Sequence, residues 1–179
     1  DHEHPDIEDH YSSTYSYDWC NDDSDPTPQS NNGHGTSAGG VAAAVGDNGI
    51  DVTGAGYGAT LAGSTLIACG TSDQMEADAL IFQMEHIDIY TNSWGPADDG
   101  QTLESPGPIT LAAFENAAYN GRSGLGNIYT WASGNGLESD DNANYDGYAN
   151  SRFTIAVTAI THTGEQSYYA EPGANILLA

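Results

Sequence analysis

Residues 128–136 read IYTWASGNG, and this stretch indicates the fold class. Residues 128–132 form an apolar run of β-branched and aromatic side chains, which predicts a strand buried on both faces. The run stops at Ser133, and glycines flank Asn135, as expected for a tight turn after the strand. Further apolar runs predict strands at residues 60–67, 87–93 and 153–160.

Helical patterns alternate with these strands, at residues 36–45, 73–86 and 109–120. The first is rich in Ala and Gly, which predicts a buried helix. The third follows Pro108 and stops before Gly121, the expected punctuation of a helix. Strands buried on both faces and separated by helices predict a three-layer α/β fold, with a mostly parallel sheet covered on both sides.

One domain is expected over residues 1–179, because the sequence shows neither an internal repeat nor a linker. The chain starts without methionine and ends on the apolar residues ILLA, so we expect this domain to be incomplete at both ends. Residues 1–33 are rich in Asp, Ser, Asn and Pro, which predicts loops. The histidines and acids at the start of this segment match no zinc-binding spacing, and no zinc site is predicted.

The charge balance is extreme, with 26 acidic residues against two arginines, Arg122 and Arg152, and a formal net charge of −24. Such a chain repels phosphates and anionic lipids, which argues against nucleic acid or membrane surfaces as partners. No apolar stretch approaches the roughly 20 residues that span a bilayer. The charge suits metal ions or basic peptides, although a solvating surface of a salt-adapted secreted protein remains an open alternative.

Cys20 and Cys69 are the only cysteines. They could form one disulfide or remain two thiols, and the sequence does not decide between these states. Neither lies in a recognisable nucleophile context.

Two residues are candidates for catalysis from their positions alone. His34 lies where a loop enters the first helix and could act as a general base, or could have only a capping or packing role. Asn135 follows a strand of the predicted parallel sheet, where functional side chains gather, and could bind a substrate carbonyl. The alternative for Asn135 is an ordinary turn with the asparagine in a left-handed conformation.

Four motifs occur in a specific order: HGT at residues 34–36, SWGPADDG at 93–100, WASGNG at 131–136 and NYDGY at 144–148. In this order they resemble the kexin/furin branch of the subtilisin-like serine proteases, and the resemblance covers essentially the whole chain. It implies that His34 is the catalytic base and that Asn135 binds the oxyanion.

The nucleophile and the aspartate of the triad are not expected within this chain. Ser37, in a Gly-Thr-Ser sequence, imitates the nucleophile motif of the family, but it almost directly follows the base and would have poor triad geometry. By the resemblance, the aspartate precedes Asp1 and the serine follows Ala179. Residues 1–179 alone are therefore expected to be inactive.

The resemblance also implies calcium as the cofactor. The first implied site uses Asp6, Asn48 and the carbonyls of Val45, Ile50 and Val52, a set of hard oxygen ligands that calcium prefers. The second implied site uses Asp98, Asp141 and Glu171. A third, of uncertain register, would use Asp18, Asp22 and Asp25.

Substrate-binding positions follow from the same resemblance. Asp146 matches the carboxylate at the base of the primary pocket, Asp98 matches one near its wall, and the segment Ser93, Trp94 and Gly95 offers a backbone edge for an extended substrate. Two acids match positions that bind more distant basic side chains, Glu76 and Glu104. Glu76 could instead belong to a capping box that starts at Asp73. Asn31 stands where furin relatives carry an acid, so a strict dibasic preference is not predicted.

The sequence therefore predicts part of a calcium-dependent serine endopeptidase that cleaves after basic residues of peptides or proteins. The expected setting is extracellular or secreted, with an N-terminal propeptide and a downstream β-rich domain elsewhere in the protein. Two alternatives remain open: a broad-specificity secreted subtilisin whose acids serve solubility, and a calcium-binding pseudoenzyme that lacks the triad.

Overall fold

The computed structural model describes residues 1–29 and 32–179. They form two compact units, Asp1–Phe82 and Gln83–Ala179, and the expectation of a single domain over the whole chain stays a prediction. The α-helices of the described residues are α1 (His34–Ala43), α2 (Asp73–Ile81) and α3 (Pro108–Gly124). The strands are β1 (Tyr17–Asp18), β2 (Ser64–Thr65), β3 (Ile89–Asn92), β4 (Ile128–Ala132), β5 (Ile155–Val157) and β6 (Ile176–Leu178).

The sheet of the second unit has four strands in the order β3-β4-β5-β6, and all of its neighbouring strands are parallel. The predicted bounds of β4 are confirmed. β3 and β5 are shorter than the predicted strands at 87–93 and 153–160, because the pairing with β4 extends only over the residues that face it. β6 was not predicted.

Helix α3 supplies the core of this unit. The ring of Phe114 meets the ring of Tyr129 edge to face at 5.0 Å and the ring of Trp131 at 6.0 Å, and all three side chains are fully buried. Pro108 is at the start of the helix, as predicted, because its fixed φ suits the first turn. Aromatic side chains of α3 and β4 therefore hold the helix against the parallel sheet.

The regular part of α3 ends where the sequence predicted. Gly121 leaves the helical conformation, and Arg122 and Ser123 have φ angles of 53° and 57°. Arg122 Nε lies 2.7 Å from Asp88 Oδ1, and the Arg122 N–H donates to the carbonyl of Met84 at 2.9 Å. These contacts of Arg122 stabilise a backbone conformation that residues other than glycine rarely adopt. The second arginine, Arg152, is exposed and lies 5.4 Å from the ring centroid of its neighbour Phe153.

In the first unit the predicted strand at 60–67 is largely wrong. Only β2 within it is a strand, and it pairs in parallel with β1, which has two residues. The short partner explains the difference, since residues without a neighbouring strand cannot form a ladder. β1 itself lies within the segment predicted as loop. A disulfide joins Cys20 to Cys69 and so resolves the alternative that the sequence left open.

Helices α1 and α2 also depart from their predictions. Helix α1 begins two residues earlier than predicted. The prediction that it is a buried helix is wrong, because Ala43 is its one buried residue and Val41 is 74% exposed. Its packing in the first unit involves its last turn, where the Ala55 N–H donates to the carbonyl of Val41. Helix α2 stops at Ile81 instead of residue 86, because Phe82 leaves the helical conformation, with a ψ of 123°, and Gln83 has a φ of 56°. None of the helices in the described part of the chain has the length and apolar character needed to cross a bilayer.

Candidate active site

His34 is the first residue of α1, and its side chain is exposed at the amino end of the helix. The ring is therefore accessible to a reacting group, which a general base requires. Ser37 lies one turn further, and its hydroxyl donates to the Gly33 carbonyl at 3.2 Å. That hydrogen bond gives the hydroxyl a local role at the start of the helix.

Asn135 follows β4 in an exposed turn. The left-handed residue of this turn is Gly134, with a φ of 93°, and not Asn135. The Asn135 Nδ2 lies 3.2 Å from Asp98 Oδ2, so the amide group donates outward from the turn. The next backbone N–H, of Gly136, donates to Glu171 Oε1 at 2.9 Å. The turn thus presents a side-chain donor at the carboxyl end of a buried parallel strand.

Three of the predicted calcium ligands surround this turn. Asp141 and Glu171 are 5% and 4% exposed, and a Cβ placed on Gly136 would meet side-chain atoms of both and of Asp98. Burial raises the pKa of Glu171 to about 7, and the charges of Asp141 and Asp98 act in the same direction. The structure therefore brings the predicted set together and concentrates negative charge there.

The carboxylates of this set face hydrogen-bond donors instead of one common point. Asp141 Oδ2 accepts from the Gly100 N–H at 2.9 Å, and Asp98 and Glu171 share a side-chain hydrogen bond. Within residues 1–29 and 32–179, no three His, Cys, Asp or Glu side chains have an arrangement ready to hold a metal ion. A cation would have to replace these hydrogen bonds.

Asp146 is half-buried beside the segment Ser93–Gly95, in which Ser93 and Gly95 are exposed and Trp94 is half-buried. Its Oδ1 accepts from the Tyr148 N–H at 2.7 Å, and its Oδ2 would lie 2.8 Å from a Cβ placed on Gly95. Burial raises the pKa of Asp146 to about 6, although backbone N–H groups lower it, and the charges of Asp98 and Glu104 add to the rise. A basic side chain that reached this carboxylate would relieve the unfavourable burial of its charge.

Glu104 is held next to Asp146 by the backbone. The Gly147 N–H donates to the Glu104 carbonyl at 2.8 Å, and the Glu104 N–H donates to the Tyr145 carbonyl at 3.4 Å. The predicted substrate positions Asp98, Glu104 and Asp146 thus lie in one region of the second unit, beside Ser93, Trp94 and Gly95.

Glu76 lies in the first unit and is 8% exposed. Its Oε1 accepts from the Thr71 hydroxyl at 2.7 Å. The alternative of a capping box that starts at Asp73 is wrong, because Ser72 is the N-cap of α2 and accepts from the Met75 N–H at 3.3 Å. The burial of Glu76 beside Thr71 is a feature that sequence spacing alone did not reveal.

The loop of the first predicted calcium site is organised around Asp6, which is 1% exposed. Asp6 Oδ1 accepts from Asn48 Nδ2 at 2.8 Å, and Oδ2 accepts from the Val52 N–H at 3.1 Å. These hydrogen bonds lower the pKa of Asp6. The Val45 N–H donates to the Asp6 carbonyl at 2.9 Å, and the Ile50 N–H donates to Asn48 Oδ1 at 2.9 Å. The structure thus brings all five predicted residues of this site together.

The acids of the uncertain third site have separate local partners. Asp18 is 1% exposed and accepts from the N–H groups of Cys20 and Asn21 at 2.8 and 2.9 Å. Asp22 accepts from the Tyr17 hydroxyl at 2.6 Å, and Asp25 bonds to Thr27 and His2. Asn31, which bears on dibasic preference, lies outside the described residues.

Comparison with known proteins extends these observations. The model of the subtilase family, Peptidase_S8, matches residues 1–178. PC3-like endoprotease variant B of Hydra vulgaris is 44% identical over 171 residues, which are 94% of this chain and 24% of that protein. Furin-like protease 2 of Drosophila melanogaster is 44% identical over 170 residues, which are 94% of this chain and 10% of that protein. The chain therefore spans a quarter or less of the length of these relatives.

Solved structures show the same fold. The serine protease of Aeromonas sobria, solved with its chaperone ORF2, superposes with a TM-score of 0.81 at 24% identity, over 99% of this chain and 33% of that one. A cold-adapted subtilisin-like serine proteinase superposes with a TM-score of 0.70 at 15% identity, over 99% of this chain and 57% of that one. The predicted fold class is confirmed.

Proposed function

The chain belongs to the subtilase family, and from this membership we propose that it is the central part of a calcium-dependent serine endopeptidase that cleaves after basic residues. The observation that carries the specificity is the half-buried Asp146, whose carboxylate lies against Gly95 and beside Glu104 and Asp98. The 44% identity of the chain to PC3-like and furin-like proteases supports the endopeptidase activity.

The proposed reaction is acyl transfer to water. A serine outside residues 1–179 attacks the scissile carbonyl carbon, and His34 takes its proton and gives it to the leaving amine. Asn135 and a backbone N–H hold the negative charge that develops on the carbonyl oxygen. Water then attacks the acyl-enzyme with His34 as base, which releases the acid product and restores the serine.

Substrate recognition is proposed to use the edge at residues 93–95 and the carboxylates around it. The backbone of this edge pairs with an extended peptide, and Asp146 receives the basic side chain before the scissile bond. Glu104 and Glu76 are proposed to bind basic side chains further from that bond.

Replacing Asp146 with asparagine in the full-length protein is expected to lower kcat/KM for substrates with arginine before the scissile bond by about 10²-fold. A basic side chain that enters an enclosed pocket loses its hydration, and only a fixed carboxylate replaces that loss. Substrates with leucine at this position should change little. The measurement is a peptide-library profile of both proteins, with Asp140→Asn, an exposed acid, as the matched control.

The pH dependence of the wild type gives a second readout of the same group. Since the pKa of Asp146 is raised to about 6, the carboxylate gains a proton as pH falls through that value, and the preference for arginine should fall with it. Asp146→Asn should lack this change. Cleavage after leucine as readily as after arginine would instead favour the broad-specificity alternative, in which the acids only solvate the surface.

Calcium is proposed as the cofactor, and the donor sets on the chain fit it. Asp6, Asn48 and the carbonyls of the 45–52 loop are hard oxygen donors, as calcium requires. Asp98, Asp141 and Glu171 provide a second set, in which burial, followed by the charges of Asp141 and Asp98, raises the pKa of Glu171. When bound, calcium would supply positive charge that stabilises the folded loops.

Calcium removal is expected to lower the melting temperature of the full-length protein, and excess calcium should restore it. Binding to the folded state alone adds about 2.7 kcal/mol of stability when free calcium is 100-fold above Kd. Thermal unfolding during a calcium titration in chelator buffer measures this. Asp6→Asn should weaken the calcium response, whereas Asp47→Asn, an exposed neighbour in the loop, should not. A melting temperature that changes with neither chelator nor calcium would contradict the proposal that calcium is the cofactor.

The setting is proposed to be extracellular or secretory. The disulfide between Cys20 and Cys69 supports an oxidising compartment. An N-terminal propeptide and a downstream β-rich domain remain proposals for the rest of the protein. The flanking gene sequence distinguishes the proposed protease from a pseudoenzyme most directly. Asp-Asp-Gly upstream and Gly-Thr-Ser downstream would exclude the pseudoenzyme.

A further inference from the structure

Trp131 lies at the centre of an aromatic cluster in the second unit. It is a residue of β4 and is fully buried. Its ring meets that of Trp94 at 4.7 Å and stacks on that of Tyr148 at 5.2 Å with an interplanar angle of 18°. The side chain therefore packs against two segments that carry the proposed substrate site.

The indole N–H of Trp131 donates to the carbonyl oxygen of Trp94 at 2.7 Å. Trp94 is the half-buried middle residue of the edge at 93–95, between the exposed residues Ser93 and Gly95. The Trp94 carbonyl is thereby held inward, whereas the neighbouring residues Ser93 and Gly95 are exposed. A second bond, from Trp94 Nε1 to Asn92 Oδ1 at 3.2 Å, anchors the Trp94 side chain to the end of β3.

The other contact of Trp131 leads to the proposed specificity carboxylate. Tyr148, which stacks on Trp131, donates its backbone N–H to Asp146 Oδ1 at 2.7 Å. The second oxygen of Asp146 lies against Gly95, on the same exposed edge. One buried indole therefore contacts both parts of the site.

We propose that Trp131 is a positioning residue, which fixes the 93–95 edge through the Trp94 carbonyl and supports the Asp146 segment through Tyr148. The inference rests on the proposed function, since it concerns how that site holds an extended basic peptide. Trp131 is fully buried and is not expected to touch the substrate. Its effect should therefore depend on how much of the edge a substrate uses.

Trp131→Phe in the full-length protein separates the two contacts. Phenylalanine keeps an aromatic ring against Tyr148 but has no N–H for the Trp94 carbonyl. The loss of this buried hydrogen bond should raise KM about tenfold for a four-residue peptide that ends in arginine before the scissile bond. kcat should stay near that of the wild type, and KM for a blocked single-arginine substrate, which barely uses the edge, should change little.

Phe114→Leu is the matched control. Phe114 is equally buried and touches the Trp131 ring, but it belongs to α3 and makes no bond to the edge. It should lower the melting temperature while both KM values stay unchanged. If Trp131→Phe is not recovered folded, Trp131→Met replaces it in the same assay, because methionine fills apolar space without an N–H or O–H donor in its side chain.

The inference is overturned if Trp131→Phe has the wild-type KM for the four-residue peptide. Equal rises in KM for both substrates, or the same rise in Phe114→Leu, also overturn it, because they would indicate general loosening of the core. A full-length wild type that cleaves neither substrate overturns the proposed function itself and this inference with it, whereas an active wild type confines any failure to Trp131.

Discussion

Replacing His34 with alanine in the full-length protein is expected to reduce kcat by about 10⁶-fold, the scale found when the base of a subtilisin triad is removed. Without the imidazole, the serine hydroxyl keeps its proton and the leaving amine receives none. The loss should appear in kcat measured on an arginine peptide, with unchanged folding by circular dichroism. The exposed position of His34 at the start of α1 makes a large loss of stability unexpected.

His162→Ala is the matched control for this prediction, because His162 is also exposed and lies in the second unit, far along the chain from α1. Its activity should equal that of the wild type. Appreciable turnover by the His34→Ala protein would contradict the assignment and return His34 to a capping or packing role.

Asn135→Ala is expected to lower kcat by about 10²–10³-fold with little change in KM. The amide is proposed to bind the oxygen of the scissile carbonyl only when that oxygen carries negative charge. The interaction therefore stabilises the transition state more than the bound substrate. Steady-state kinetics with one arginine peptide, measured for the wild type and the variant, gives both constants.

Asn120→Ala, at an exposed position near the end of α3, is the control and should leave both constants unchanged. Wild-type kcat in the Asn135→Ala protein would show that the asparagine only forms a turn. The observed turn already places its left-handed conformation at Gly134, which leaves the Asn135 side chain free of that conformational role.

The parts of the fold that the sequence predicted well have local signals at both ends. β4 is bounded by a glycine turn, and the regular part of α3 lies between Pro108 and Gly121. The predicted strand at 60–67 had apolar residues but only the two residues of β1 as a partner. The predicted burial of α1 was also wrong. A composition rich in Ala and Gly allows other segments to pack closely against a helix, but it does not determine whether any segment covers it.

For the site, motif resemblance named the residues but not their contacts. The convergence of Asp98, Asp141 and Glu171 around Gly136, and the stacking of Trp131 on Tyr148, join positions distant in the chain. No spacing rule predicts such contacts. The disulfide between Cys20 and Cys69 is similar, since pairing depends on the distance between two Cα atoms, here 5.7 Å.

The placement of the two arginines has a consequence for autolysis. An endopeptidase that cuts after basic residues finds only Arg122 and Arg152 in this chain, which has no lysine. Arg122 has a positive φ and is tied to Met84, and the turn around Arg152 is closed by a hydrogen bond from the Thr154 N–H to the Ser151 carbonyl. Neither arginine lies in the extended conformation that an active-site edge accepts, so self-cleavage requires local unfolding first. With the proposed specificity for basic residues, we therefore expect contact between one copy of the protein and another to leave this part of the folded chain intact.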